Sequence, residues 1–216
     1  MACAICERRK EKRFCPAVHG RICPQCCGEQ REVTLDCPSE CVYLEQARVN
    51  EKPRSLENVD PAALFPKVEI GDRFLYEQEH LLLGLSYALA RSARGNHGIR
   101  DTDLIGALTS LAQSYETLAS SGLHYESLVT SFVQQAIAAE VQQMLEEYRE
   151  VEQNHLGYTR LRDADVLRAL VFLLRMGFTR TSGRPKSRAF ADFLFRQFPE
   201  RAASVAAPAQ SSIIVP

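Results

Sequence analysis

From Asp72 onward the chain repeats apolar residues at steps of three and four, the spacing of one face of an α-helix. Leu75, Leu82, Leu85 and Leu89 predict a first helix over about 72–92. A second is capped by Asp101, carries Leu104, Ile105, Leu108, Leu111, Ala112, Tyr115 and Leu118 along one side, and ends at Gly122. A third is expected over about 126–152, with Phe132, Ala136, Ile137, Met144, Leu145 and Tyr148 as core candidates. Asp163 caps a fourth that runs from Val166 to Met176 and stops at Gly177. Ser187 opens a short fifth containing Phe190, Phe193 and Leu194, which Pro199 closes. Five helices with short connections predict an all-α bundle over residues 72–199.

The flanking segments lack this period. Residues 48–71 hold Pro53, Pro61 and Pro66 among polar residues and are expected to form a linker or an extended wrap. Residues 200–216 are apolar-poor until Ile213-Ile214-Val215 and are expected to form a flexible tail. Hydrophobic residues make up 45% of the chain and charged residues 25%, so the middle can bury a core. No apolar run approaches the roughly 20 residues that a bilayer requires. Met1 is followed by cysteines and charges rather than an apolar leader, so the default expectation is a cytoplasmic protein with no membrane partner.

The first 47 residues carry a different signal. All eight cysteines of the chain lie between Cys3 and Cys41. Disulfides need an oxidising compartment, whereas zinc suits a reducing one, and so short a segment cannot fold on apolar burial alone. The ligands form units: Cys3-Ala-Ile-Cys6, a single Cys15, the knuckle Cys23-Pro-Gln-Cys26 with Cys27 adjacent, and the pair Cys37 and Cys41. A C-x2-C turn aims two sulfurs at one ion. Pro38-Ser39 reads as a helix start, which would place Cys37 and Cys41 at the positive end of a helix dipole. A knuckle plus a helix-borne pair predicts a treble-clef-like module. Eight thiolates suit two tetrahedral zinc ions, one on Cys3, Cys6, Cys23 and Cys26 and the other on Cys15, Cys27, Cys37 and Cys41. His19 competes with Cys27 as a ligand; its other reading is a surface histidine in the Val18-His19-Gly20 turn. One zinc with four spectator thiols, or a redox protein, are the competing readings of the whole cluster.

The unbroken elements Cys26-Cys27-Gly28 and Asp36-Cys37-Pro38-Ser39-Glu40-Cys41-Val42-Tyr43-Leu44, behind the Cys3–Cys6 pair, resemble the N-terminus of a group of uncharacterised bacterial proteins. The resemblance covers residues 3–44 and extends more faintly to 183–199. It implies a zinc-binding segment ahead of a helical domain, and it implies no activity. The order of the cysteines is also similar in spacing to the cross-braced HIT and MYND fingers, which are interaction modules. The fold expected is therefore mainly α: a small zinc-binding module over residues 1–47, a linker over 48–71 and a helical bundle.

Charge is distributed unevenly. Residues 60–156 hold 14 acids and 6 bases, and residues 157–201 hold 10 bases and 4 acids. The basic end is expected either to dock on the acidic helices or to meet RNA, DNA or an acidic partner. Residues 1–50 hold 8 bases and 7 acids. Two zinc ions at +2 and eight thiolates at −1 would bring the loaded module to about −3, which disfavours phosphate binding. Arg8, Arg9, Lys10, Lys12 and Arg13 still form a local patch, read either as a nucleic-acid contact or as compensation for thiolate charge. Gly183-Arg184-Pro185-Lys186 resembles the core of a minor-groove AT-hook, and otherwise reads as a basic loop.

Two E-x-x-H units, Glu77/His80 and Glu152/His155, match the spacing used in di-iron bundles, although they would fall on the first and third helices. No nucleophile elbow, phosphate loop or dinucleotide fingerprint is present. The expectation is a non-enzymatic zinc protein that binds a protein partner. A nucleic-acid-associated factor using residues 8–13 and 180–188 is the alternative, and a metal-dependent helical enzyme is the third reading.

Overall fold

The computed structural model describes residues 1–122 and 131–199. It is mainly helical, with a two-stranded ribbon confined to the cysteine-rich end. Strands β1 (Arg13–Cys15) and β2 (Gly20–Ile22) pair antiparallel, with Phe14 opposite Arg21 and Cys15 opposite Gly20. Side chains alternate across such a ribbon, so Cys15 and Ile22 turn inward while Phe14 and Arg21 face solvent. Helix α1 (Pro24–Gln30) follows β2 directly, and α2 (Val42–Asn50) closes the module.

The last cysteine pair is placed differently from the sequence expectation. Helix α2 starts at Val42 rather than at Pro38, with Cys41 as its N-cap and Cys37 on the turn ahead of it. Pro38 instead accepts the Cys41 N–H in that turn, at 3.0 Å. The treble-clef order still appears, with its roles reassigned. Cys3–Cys6 forms the turn of the knuckle, and Cys23–Cys26 is the helix-borne pair on α1.

The bundle comprises α3 (Asp72–Glu77), α4 (Glu79–Gly95), α5 (Asp101–Ser121), α6 (Phe132–Leu156), α7 (Asp163–Arg180) and α8 (Ala189–Gln197). Helix α5 packs along α7 and α4 along α6, while α8 touches α4, α5 and α7. Leu85, Leu89, Leu104, Leu108, Ile137, Leu145, Leu170 and Phe190 are fully buried at the centre.

Three expectations are corrected. The first helix is interrupted at Gln78, so Leu81, Leu85, Ala88 and Leu89 form the buried stripe and Leu82 is only partly covered. On α6 the seam is Ile137, Val141 and Leu145, and Phe132 and Ala136 are exposed. The expected start of that helix, at 126, lies outside the described residues, as does the tail from 200. Gly177 does not stop α7, which continues to Arg180. A Cβ there would stand 3.1 Å from Ile105 and 3.2 Å from Phe190, so this glycine lets α7 approach α5 and α8.

The proline-containing stretch is bound rather than free. Arg175 of α7 donates to the carbonyls of Leu64, Phe65 and Val68 at 2.8–3.0 Å, and Phe65 is buried. No helix of the described residues is long and apolar enough to cross a membrane.

Asp101 opens α5, yet its carboxylate serves another helix. It accepts from the Phe190 and Ala191 amides at the start of α8 and from Ser187 Oγ at 2.6 Å. Burial pushes its carboxyl upward, and those donors partly offset the effect. Asp103 takes the capping contact expected of Asp101, accepting the Arg100 N–H at 2.9 Å. Asp101→Ala is expected to lower stability by about 3 kcal/mol in urea denaturation, because several buried donors lose their acceptor. Hydrogen exchange of the Phe190 and Ala191 amides should rise in the same variant.

Candidate metal centre

Cys3, Cys6, Cys23 and Cys26 converge, with all four sulfurs within 4.8 Å of one another. Local backbone explains the approach. The Cys3–Cys6 turn is closed by the Glu7 N–H on the Cys3 carbonyl at 2.8 Å, and Glu7 adopts a left-handed φ of 55° to leave it. Cys23 ends the β-ribbon and caps α1, its sulfur accepting the Cys26 N–H at 3.4 Å. The Cys23 N–H in turn donates to Cys3 Sγ at 3.2 Å. The Cys23 and Cys26 amides thus each point a positive dipole at a sulfur.

The acidities of these thiols are spread apart as a result. Burial alone would raise Cys3, but the amides of Cys6, Cys23 and Ile5 outweigh it and hold this thiol at about 6. The Cys26 amide likewise draws Cys23 down, helped by the Arg9 guanidinium. Cys26 is pushed up to about 12, first by burial and then by its three cysteine neighbours. Four sulfurs this close cannot all carry charge without a cation among them. The residues therefore fit a thiophilic metal ion, held by four ligands with no open position.

The remaining cysteines gather nearby. Cys15, Cys27, Cys37 and Cys41 line one small cavity together with Ile22, Leu35 and Leu44. Among the described residues no three of them approach as closely as the first set does. Cys27 is attended by arginine, with Arg13 Nη1 at 3.5 Å and Arg31 Nη2 at 4.0 Å. Burial raises the Cys37 thiol, although the Glu32 N–H works against that rise. His19 is exposed in the turn of the β-ribbon, with a left-handed φ of 48°, and lies in neither set.

The basic motifs read from the sequence are largely occupied. Arg9 engages Cys23 and Arg13 engages Cys27, with Arg13 also stacked on Tyr43 at 4.6 Å. Arg184 donates to the Arg31 carbonyl, and Lys186 donates to Thr34 and, through its main chain, to Glu32. The Gly183–Lys186 loop thus docks on the cysteine module and not on the acidic helices. Three of the four E-x-x-H residues border one cavity, but among the described residues they form no metal-spaced group. Glu77 ends α3 while His80 belongs to α4, and Glu152 accepts the Arg160 and Leu161 amides at 2.9 Å. His155 lies exposed near the end of α6, outside the cavity that Glu77, His80 and Glu152 share.

Sequence reading missed the groups that join the module to the bundle. Arg48 of α2 donates to Glu32 at 2.9 Å and to Asp192 of α8 at 2.5 Å, and Ser39 also reaches Asp192. Ser182 donates to the second Glu32 oxygen. Partners separated by up to 153 residues leave no local pattern to find. Arg48→Met would strand two carboxylates of which only 3% and 10% is exposed. We expect it to cost about 3 kcal/mol in chemical denaturation and to speed hydrogen exchange at Lys186.

The amide dipoles, the nearby arginines and the mutual crowding of the sulfurs suit a metal ion among thiolates. No protein-family model, curated protein or solved structure matches the chain, so its reading rests on this geometry.

Proposed function

We propose that this chain is a non-enzymatic zinc protein whose N-terminal module, fixed by two zinc ions, is a protein-interaction or assembly element carried on a helical platform. The observation that carries the reading is the closed set of Cys3, Cys6, Cys23 and Cys26. Four thiolates around a d¹⁰ ion leave no position for water or substrate, which is the character of a structural site. Cys15, Cys27, Cys37 and Cys41 would hold the second ion around the cavity they line. Their looser approach and the arginines on Cys27 mark this as the weaker site.

Surface chemistry supports a protein partner. Phe14, Val18, Val33, Val42 and Val49 are exposed on the module. The nucleic-acid alternative draws on residues 8–13 and 180–188. Of these, Arg9, Arg13, Arg184 and Lys186 already serve sulfurs or main-chain carbonyls.

Elemental analysis of the purified full chain is expected to find about two zinc ions and no iron, falling to about one in Cys26→Ser. Chelation should unfold the module while most far-UV helicity remains. Absence of zinc, or iron in its place, would overturn the metal assignment. Cross-links to a partner should fall on Phe14, Val33 and Val42 and vanish on chelation. Steeply salt-dependent binding to DNA or RNA, lost on charge reversal at Arg8 and Lys12, would instead favour the alternative.

A further inference from the structure

A cleft of about 290 Å³ lies away from the cysteine clusters, between the bound linker, the end of α7 and α8. Lys52 and Arg54 line it from the linker, Arg180 from α7 and Arg196 from α8, with Glu51 the one acid in its lining among the described residues. Arg48 also borders it but is paired with both Glu32 and Asp192, which leave that group one negative charge in excess. Arg54, Arg180 and Arg196 form no ion pair with a carboxylate among the described residues.

Two of these arginines are held in place. Arg180 lies on the ring of Phe193, with its guanidinium carbon 4.3 Å from the centroid, which fixes its plane and leaves its N–H edge for a ligand. The Arg54 main chain is tied to α7 through its N–H on the Thr179 carbonyl at 3.2 Å. Its guanidinium packs against Gly183, where a Cβ would stand 2.5 Å from Nη1. Gly183 also has a φ of 74°, so this position excludes a side chain twice over.

Charge decides what the cleft can take. Lys52, Arg54, Arg180 and Arg196 supply four positive charges, Glu51 removes one, and the Arg48–Glu32–Asp192 group removes another. The carbonyl ends of α2 and α7 both border the cleft, each equivalent to about half a negative charge. About one positive charge therefore remains uncompensated. The hydroxyls nearby are already used, Ser182 on Glu32 and Thr179 on the Met176 carbonyl. The Phe193 ring is covered by Arg180, and among the described residues no second aromatic side chain lines the cleft. Single-stranded nucleic acid depends on such stacking surfaces, whereas a small oxyanion needs only forked donors.

From this geometry we infer that the cleft is a binding site for a compact diphosphate, either free or as the diphosphate of a nucleotide, recognised by Arg54, Arg180 and Arg196. The ligand sits where linker, α7 and α8 meet, and would draw these three elements together.

Titration calorimetry of the full, metal-loaded chain with inorganic pyrophosphate at low ionic strength tests this. Binding is expected at or below the order of 1 mM, with ADP comparable and orthophosphate weaker. R54Q and R180Q should each weaken pyrophosphate by about tenfold, with zinc content and helicity unchanged. R196E is an exposed change that perturbs no packing, and it should do the same. Equal affinity for pyrophosphate and ADP would point to the diphosphate alone; tighter ADP binding would identify a nucleotide, and both support the site. No pyrophosphate binding, or binding that all three variants leave intact, would overturn it. So would a single-stranded oligonucleotide that binds more tightly than pyrophosphate and gains affinity with length.

Discussion

The buried carboxylate of Glu32 is the point on which the two parts of this molecule depend. The residue sits with a left-handed φ of 52°, just past the end of α1, and is almost wholly removed from solvent. Its amide turns toward the Cys37 sulfur, its carbonyl accepts from Lys186, and its carboxylate binds Arg48 and Ser182. One side chain and one peptide unit therefore link a cysteine cluster, a helix of the module and the loop that leads into α8. A buried carboxylate stays ionised at little cost only when several donors surround it. Arranging those donors fixes where the module sits.

The bundle has a matching device. Asp101 holds the start of α8 from the opposite side, and Asp192 within α8 completes the Arg48 contact. Helix α8 is thus held by two acidic residues and one arginine as well as by Phe190 and Leu194 in the core. Apolar packing gives the helix its place in the bundle. The polar contacts give it an orientation, since they are short-ranged and directional.

Much of this was legible in the chain. Cysteine pairs report themselves because a C-x2-C turn is a local object, and the set Cys3, Cys6, Cys23 and Cys26 could be drawn from spacing. Helical faces were readable for the same reason, since Leu104, Leu108 and Leu111 lie within one stretch of backbone. Errors arose where one residue type serves two purposes. Glycine halts a helix at Gly122 but admits a neighbouring helix at Gly177, and the local sequence does not distinguish them. Pro38-Ser39 looked like a helix entrance, but Cys41 holds that position. Gly183-Arg184-Pro185-Lys186 left two readings open, an AT-hook core or a basic loop, because charge shows in a sequence while its partner, a carbonyl about 150 residues away, does not.

The Glu32–Ser182 contact spans 150 residues, and this separation bears on how the chain comes into being. On the ribosome the cysteine segment emerges about 150 residues ahead of the loop that covers Glu32. Contacts of such long sequence separation form late. The cysteine segment is therefore synthesised while the groups that cover Glu32 are still to come. Docking of the module on the bundle therefore waits for the loop that leads into α8.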